Sequence, residues 1–335
     1  MACRIGINGL GRIGRMVLRR TMTLPDVDVV AANDLVDIGD LAYLIKYDSV
    51  HGAFPGKVSD DGAKAIMVND QTIQFTSEKD PGKIPWGHVG VDVVIESTGA
   101  FRGRSDASGH LQSGARKVLI SAPSDDVDVT LVPGVNDDRY DHAQHQVVSM
   151  ASCTTNSLAP VAKVLQEQFG IAHLLITTVH AYTASQSIMD KPTRKRRRGR
   201  AAALSMIPTT TGAAKATAEV LPALKGKMDG MAIRVPIPDG SVTDIVAQLN
   251  QSTSAKEINA CLREAAGKPP LQGILEVCDE EIVSVDIVGN PHSSIVDAPS
   301  TMVLNGTVAK LLAWYDNEWG YACRLAELAG RLIAT

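Results

Sequence analysis

The chain is poor in aromatic residues, which make up 4% of its 335, poor in cysteine, with five, and nearly balanced in charge, with 33 Lys and Arg against 37 Asp and Glu. Each shortage excludes something. The cysteines, at 3, 153, 261, 278 and 323, form an odd set with no CxxC pair and no metal-ligand spacing. Neither a disulfide framework nor a metal site is therefore expected, and free thiols suit a reducing compartment, the cytoplasm. No apolar run approaches the roughly 18 residues of a membrane span, and no leader peptide or membrane association is expected. A net charge of −4 carries no global signature of a nucleic-acid binder. What remains, 44% hydrophobic and 21% charged residues, is the composition of a folded globular chain. Its length suits two domains, each large enough to bury its own core.

Two textures divide the chain near residue 150. Before it, short apolar runs at 4–8, 27–32, 65–68, 71–75, 91–97, 117–121 and 130–134 alternate with amphipathic stretches. That rhythm predicts an α/β domain with a Rossmann-type, largely parallel sheet and crossover helices. After it, strands expected at 174–179, 230–235, 242–249, 282–287, 294–297, 301–305 and 307–314 follow one another more directly. They predict an α+β domain with a mainly antiparallel sheet and helices on one face. Leu325, Leu328, Ala329 and Leu332 have the spacing of one helical face.

Gly9-Leu10-Gly11-Arg12-Ile13-Gly14 fits GxGxxG between a strand-like 4–7 and a helix-like 15–20. Glycines there let a turn close and the backbone approach a pyrophosphate, which the N–H groups and dipole of a helix start stabilise. A second strand-like run then delivers Asp34, 20 residues beyond Gly14. A carboxylate at that spacing accepts hydrogen bonds from the ribose 2′-hydroxyl of NAD and repels the added phosphate of NADP. A glycine-rich surface turn does not account for that coincidence.

Ser152-Cys153-Thr154-Thr155-Asn156 joins a strand-like 146–150 to a helical pattern in which Leu158, Val161, Ala162, Leu165 and Phe169 share one face. A cysteine at a helix start gains thiolate character, and the flanking hydroxyls and amide offer donors to an anion. Pro160 inside the pattern predicts a kink or a later helix start. The other four cysteines lack such neighbours and read as packing residues. His180, ending the strand-like 174–179, has the proton affinity a partner base needs. Packing at a strand end is the alternative reading of that histidine.

Motifs spread along the whole chain resemble the phosphorylating glyceraldehyde-3-phosphate dehydrogenase family: INGLGRIGR at 7–15, KYDSVHG at 46–52, ESTG at 96–99, ASCTTN at 151–156, HAYT at 180–183, PTTTGAAK at 208–215, RVP at 234–236 and WYDNEWGY at 314–321. The resemblance implies that Cys153 attacks the aldehyde of glyceraldehyde 3-phosphate while His180 takes a proton. Hydride then passes to NAD, and inorganic phosphate releases the acyl group from a thioester as 1,3-bisphosphoglycerate. It implies that Thr183 and Arg234 hold the substrate phosphate, and that Ser152, Thr154, Thr211 and Gly212 hold inorganic phosphate. Gly9, Gly11, Arg12, Ile13, Gly14, Asp34 and Ser121 would contact the dinucleotide, with Asn317 on the nicotinamide carboxamide. Lys79 joins that set, where many relatives carry Arg. A homotetramer is implied as well.

One feature points elsewhere. Residues 190–200 hold seven basic residues and one acidic, a local charge of +6 that leaves −10 to the rest of the chain. Such runs bind nucleic acid in other proteins, but no aromatic residue interleaves this one, and nucleic-acid binding is not expected as the main function. The resemblance places it in a loop near the tetramer centre, where Arg197 or Arg198 would also reach the inorganic-phosphate site, and Pro192 matches a proline of NAD-specific members. The expected division is an NAD-binding domain at 1–152, a catalytic domain at 153–317 and a terminal helix at 318–335 packing on the first. The rival reading, an erythrose-4-phosphate dehydrogenase, shares nucleophile, base and cofactor but releases its acid by hydrolysis.

Overall fold

Two sheets organise the chain, of which a computed structural model describes residues 2–333. One unit holds the residues up to Leu131, then Asp138–Ala151 and the chain from Ala322. The other holds Val132–Asp137 and Ser152–Tyr321.

The first unit carries nine strands, β1 (Cys3–Asn8), β2 (Val27–Asn33), β3 (Val58–Asp60), β4 (Ala65–Val68), β5 (Gln71–Thr76), β6 (Val93–Glu96), β7 (Lys117–Ile120), β8 (Val129–Thr130) and β9 (Val147–Ser149). Their order is β3-β4-β5-β2-β1-β6-β7-β9-β8. Pairing is parallel except around β4, which is antiparallel to both neighbours. Helices α1 (Arg12–Thr21), α2 (Ile38–Lys46) and α3 (Arg104–Gln112) lie between strands in sequence. Ile5, Ile7, Val93, Val94, Ile95, Val118 and Leu119 are fully buried, as aliphatic strands covered on both faces are. β1 stands where the strand order reverses, with β2 on one side and β6 on the other, and a sheet of this kind binds ligands beyond the strand ends at that point.

The second unit carries β10 (Ile171–Ala181), β11 (Ile207–Thr210), β12 (Met228–Val235), β13 (Ser241–Leu249), β14 (Leu275–Cys278), β15 (Ser294–Leu304) and β16 (Val308–Tyr315), in the order β11-β12-β10-β13-β16-β15-β14. The sheet is antiparallel apart from the pairs β10–β12 and β14–β15. Helix α4 (Cys153–Phe169) buries Leu158, Val161, Ala162, Leu165 and Phe169 in one core with Ile176, Ile245, Ala247, Leu311 and Ala313 of the sheet. Each large aliphatic side chain so removed from water contributes about 1.5–3 kcal/mol, which anchors the helix that presents Cys153. Helices α5 (Ala213–Val220) and α6 (Ala255–Ala266) complete this unit, and α7 (Trp319–Arg331) belongs to the first unit from Ala322 onward.

Four expectations change. The strand expected at 130–134 is only β8, because the chain turns at Val132, whose N–H donates to Asn136 Oδ1 at 2.8 Å. No strand forms at 282–287, where Asp286 closes a turn by accepting from Val283 N–H at 2.8 Å and Val283 and Val285 stay exposed. The pieces expected at 294–297 and 301–305 are one strand, β15, whose register shifts between Asp297 and Met302 around Pro299. Helix α4 starts at Cys153 and includes Pro160, so the later start is not seen. Proline removes a single i→i−4 bond there, and the buried face around it holds the helix together.

Candidate active site

In the first unit the loop from β1 to α1 is shaped by its glycines for different reasons. Gly9 has φ of +95°, and a Cβ there would lie 2.8 Å from the backbone of Thr98. A Cβ on Gly14 would meet the carbonyl oxygen of Gly9 at 2.0 Å, so helix and turn can close only with glycine at both places. Gly11 is the N-cap of α1, and a Cβ on it would meet nothing within 4 Å. No protein atom requires glycine there, and no side chain caps the first turn. A pyrophosphate approaching a helix start would require that space, and the N–H groups of a first helical turn, where Arg12 and Ile13 stand, suit an anion. The loop therefore fits a dinucleotide.

Asp34 follows β2 directly and accepts from Leu10 N–H at 2.7 Å and from Val36 N–H at 3.1 Å, which ties it to the glycine loop. A carboxylate has about four acceptor positions, so two remain for ribose hydroxyls. Arg12, the first residue of α1, forks onto Asp48 of the KYDSVHG motif, with Nη2 to Oδ1 at 3.1 Å and a shorter Nη1 to Oδ2 contact. Burial acts to raise Asp48, but Arg12 and the N–H groups of His51 and Val50 hold its carboxyl down at about 2. Ser121 lies just after β7, its N–H on Glu96 O at 3.0 Å, while Lys79 is exposed on a bend after β5.

In the second unit the chain reaches α4 through Ala151, whose φ of +54° is rare for a residue with a side chain. Strain of this kind is about 1–3 kcal/mol and is held by its surroundings. Ser152 caps the helix by accepting from Thr155 N–H at 3.1 Å, and Cys153 is the first helical residue. Its Sγ lies 3.5 Å from Nε2 of His180, near the end of β10. Parallel pairing of β10 with β12 sets His180 beside Arg234 in register. Arg234 Nη1 reaches His180 Nδ1 at 2.7 Å and donates to Ala181 O at 2.8 Å.

Burial governs the charges here. It pushes the Cys153 thiol up, with Arg234 pulling the other way, and it pushes His180 down to about 3, with Arg234 adding to the effect. Burial thus opposes charge on both the thiol and the imidazole, against the effect of the helix start on the sulfur.

Tyr315, within the WYDNEWGY motif at the end of β16, ties the site together. Its ring meets His180 edge-on with centroids 5.9 Å apart, and its buried hydroxyl bridges Thr154 Oγ1 at 2.9 Å and Thr178 Oγ1 at 2.8 Å. The nucleophile's helix and the base's strand are thereby fixed to one side chain. Asn317 Oδ1 accepts from Ser241 Oγ at 2.5 Å, which sets the rotation of its amide. Nearby, burial and Asp316 push Asp239 up to about 9, so this carboxyl keeps its proton at neutral pH.

Among the expected anion contacts, Thr183 Oγ1 pairs with Ser185 Oγ at 2.9 Å, and Thr211 Oγ1 accepts from Ala213 N–H at 3.2 Å, with Gly212 exposed as the N-cap of α5. The basic run folds into a short 3-10 turn, 196–199, in which Arg197 is exposed. Arg198 instead turns inward, with Nε donating to Thr209 Oγ1 at 3.1 Å and Nη1 to Ser185 Oγ at 3.4 Å. Its charge is felt at His180 and Arg234. Of the two neighbours, Arg198 is the one the fold turns toward Thr209 and toward Ser185, the partner of Thr183, a choice that the repetitive sequence does not reveal.

Residues 3–104 match the family model described as glyceraldehyde 3-phosphate dehydrogenase, NAD binding domain, and residues 152–317 match that of its C-terminal domain. The chain is 54% identical over 329 residues to glyceraldehyde-3-phosphate dehydrogenase 1 of Bacillus subtilis, covering 98% of each. It is 54% identical over 334 residues to glyceraldehyde-3-phosphate dehydrogenase of Geobacillus stearothermophilus, covering 100% of this chain and 99% of that one. The protein of that name from Mycolicibacterium smegmatis is 52% identical over 335 residues, with 98% of each covered.

Proposed function

The chain belongs to the glyceraldehyde-3-phosphate dehydrogenase family, and from that premise we propose that Cys153 and His180 carry out the oxidation and phosphorylation of glyceraldehyde 3-phosphate. It is an NAD-dependent oxidoreductase of glycolysis. The observation that carries the assignment of residues is the 3.5 Å approach of Sγ to Nε2 at the first turn of α4.

Cys153 attacks the aldehyde carbon, forming a C–S bond as the carbonyl π bond breaks, and its proton passes to His180 and from there to the new oxyanion, which becomes a hydroxyl. His180 then takes the proton of the resulting hydroxyl as the carbon is oxidised. When bound, NAD supplies the hydride acceptor. The acyl group is left as a thioester on Cys153, whose C–S bond breaks when a phosphate oxygen attacks. Thr183 and Arg234 hold the phosphate that the substrate already carries, and the Arg fork suits its oxygens. Ser152, Thr154, Thr211 and Gly212, with Arg198 preferred over Arg197, receive inorganic phosphate. Gly9, Gly11, Arg12, Ile13, Gly14, Asp34, Lys79 and Ser121 hold the dinucleotide, and Asn317 holds its carboxamide.

The working form is a homotetramer in the cytoplasm. Ile188, Met189, Leu204 and Met206, on the segments flanking the basic run, are 74–85% exposed, and apolar side chains concentrated like this support a subunit contact there. Among the described residues no helix is long and apolar enough to cross a membrane. Light scattering should return four times the chain mass.

An absorbance assay for NADH tests the reaction. Glyceraldehyde 3-phosphate should give continued NADH formation only with phosphate or arsenate present, after a first turnover without either. Faster turnover of erythrose 4-phosphate without phosphate would overturn the assignment in favour of the hydrolytic relative.

A further inference from the structure

Parallel register sets Asn33, Asn8 and Glu96, the last residues of β2, β1 and β6, side by side beneath the glycine turn. Their buried side chains belong to one connected set whose hydrogen-bond directions admit a single assignment. At one end Asn33 Oδ1 accepts from the N–H of Glu78 at 2.8 Å, and its Nδ2 donates to the carbonyl of Glu78 at 2.9 Å. Those backbone groups cannot exchange roles, so the amide of Asn33 is fixed, and its Nδ2 also donates to Asn8 Oδ1 at 2.8 Å. The amide of Asn8 is fixed in turn, and its Nδ2 donates to Glu96 Oε2 at 2.6 Å. At the other end Trp86 Nε1, which only donates, meets Nδ1 of His110 on α3 at 2.9 Å. The ring hydrogen of His110 therefore sits on Nε2, 3.1 Å from the same Glu96 Oε2. Glu96 Oε1 accepts from the N–H of Thr98 at 2.8 Å and from the hydroxyl of that residue.

Every arm thus ends as a donor on Glu96, which is 1% exposed. A carboxylate has about four acceptor positions, and all are taken. What the arms hold in place is the turn at Gly9. Its N–H donates to Asn33 O at 2.8 Å and its carbonyl accepts from Ser97 Oγ at 2.7 Å, so the turn hangs between the two strand ends that Glu96 ties together across β1. Thr98, gripped by Glu96 through two bonds, lies so close to Gly9 that a Cβ there would stand 2.8 Å from its backbone nitrogen. Asp34, read above as the ribose contact, follows Asn33 directly.

Resting on the reading of this turn as the pyrophosphate seat, we propose that Glu96 is a positioning residue for the dinucleotide, the one acceptor through which Trp86, His110, Asn8 and Asn33 set the turn before NAD arrives. Buried and fully engaged, Glu96 has no lone pair to offer the cofactor and acts through Ser97, Thr98 and Gly9. A turn built in advance need not be ordered by the cofactor, and affinity rises accordingly. Glutamine at 96 would keep the shape and lose the function. Its amide nitrogen turned toward Thr98 faces a backbone N–H, and turned toward Asn8 and His110 it faces two more hydrogens, so either rotation sets donor against donor.

The test is the Kd of NAD for the whole enzyme, by calorimetry, in Glu96→Gln, Gly9→Ala and the double variant. Glu96→Gln should weaken NAD by about tenfold or more, the scale of a lost charged hydrogen bond, while kcat at saturating NAD changes by less than about twofold. Gly9→Ala should weaken NAD at least as much, and adding Glu96→Gln to it should raise the Kd by less than about a further twofold, because the turn that Glu96 supports is already displaced. An equal effect of Glu96→Gln in both backgrounds would overturn the proposal, since Glu96 would then act elsewhere than through the turn. An unchanged Kd in Glu96→Gln would overturn it too. If Gly9→Ala itself binds NAD like wild type, the turn is not the seat of the dinucleotide, and the underlying reading falls with the proposal. Where Glu96→Gln does not fold, Glu96→Asp decides: it keeps an acceptor for one arm only and should weaken NAD by about threefold or more, and a wild-type Kd there would sink the proposal.

Discussion

Replacing Tyr315 by Phe keeps a fully buried ring and deletes one oxygen. That oxygen is the shared partner of Thr154 Oγ1 and Thr178 Oγ1, whose residues are 4% and 1% exposed, so water cannot replace it. A buried polar group left without its partner costs about 1–3 kcal/mol. Two such groups cost roughly 2–6 kcal/mol, offset by the desolvation of the phenol that Phe no longer requires, of about the same size as for one group. The expected net loss is about 1–3 kcal/mol, read as the shift of the urea unfolding midpoint at fixed protein concentration. A second variant makes the reasoning exacting. Adding Thr154→Val and Thr178→Val to Tyr315→Phe removes all three polar groups while preserving shape, and the triple variant should regain most of the loss. Apolar replacement of an entire buried hydrogen-bonded set is close to neutral, whereas removal of one member is not. A Tyr315→Phe midpoint within about 0.5 kcal/mol of wild type, below the range for a buried hydrogen bond, would refute the bridge. A triple variant weaker than the single one would refute the account of why the bridge matters.

Other consequences follow from the site. Cys153 should be the thiol alkylated fastest, at a rate reduced in His180→Asn, and equal labelling of Cys261 or Cys278 would count against the assignment. Asp34→Ala should bring the NAD and NADP affinities closer by about tenfold or more, the scale of one lost charged hydrogen bond; an unchanged ratio would place the discrimination elsewhere. His180 is pushed down to about 3 in the folded chain, so only the unfolded chain takes its proton near pH 6.5. The stability tied to this group is present above pH 6.5 and is lost as pH falls, by about 2 kcal/mol at pH 5. His180→Asn should therefore lose less stability than wild type between pH 7 and 5, and identical urea midpoint shifts would disprove a buried neutral imidazole. Asp239 is shifted the other way, from 3.8 up to about 9, so its contribution is favourable below pH 3.8 and is lost as pH rises through 9. Asp239→Asn should gain on wild type from pH 4 to pH 8, and a constant difference in melting temperature would show that no proton is held there.

What could be read from the residues alone was whatever contiguous chemistry and period determine. The glycine spacing, the Asp34 offset and the aliphatic runs of β6 and β7 each depend on neighbours in sequence, and each is where it was expected. The misreadings came where long-range packing overrules a local signal. Pro160 argues locally for a kink or a later helix start, but the helix starts at Cys153, and the side chains buried around the proline, Leu158, Val161, Ala162 and Leu165, outweigh one missing hydrogen bond. Residues 282–287 alternate like a strand, yet Asp286 satisfies the backbone of Val283 within the segment and no partner edge is used.

The charge state of the site was the least legible part, because it is set by burial and by residues far apart in the chain. Cysteine at a helix start argues for a thiolate, and that argument assumes solvent near the sulfur. Burial works against it: the thiol is pushed up and its histidine down, while the two lie 3.5 Å apart. Arg234, which acts on both groups, stands 54 residues from His180 in sequence, and the parallel register of β10 on β12 brings it to Nδ1. A motif names a nucleophile and a base, but it does not state whether they are charged. That depends on burial and on the arginine that the register of β10 on β12 sets beside them.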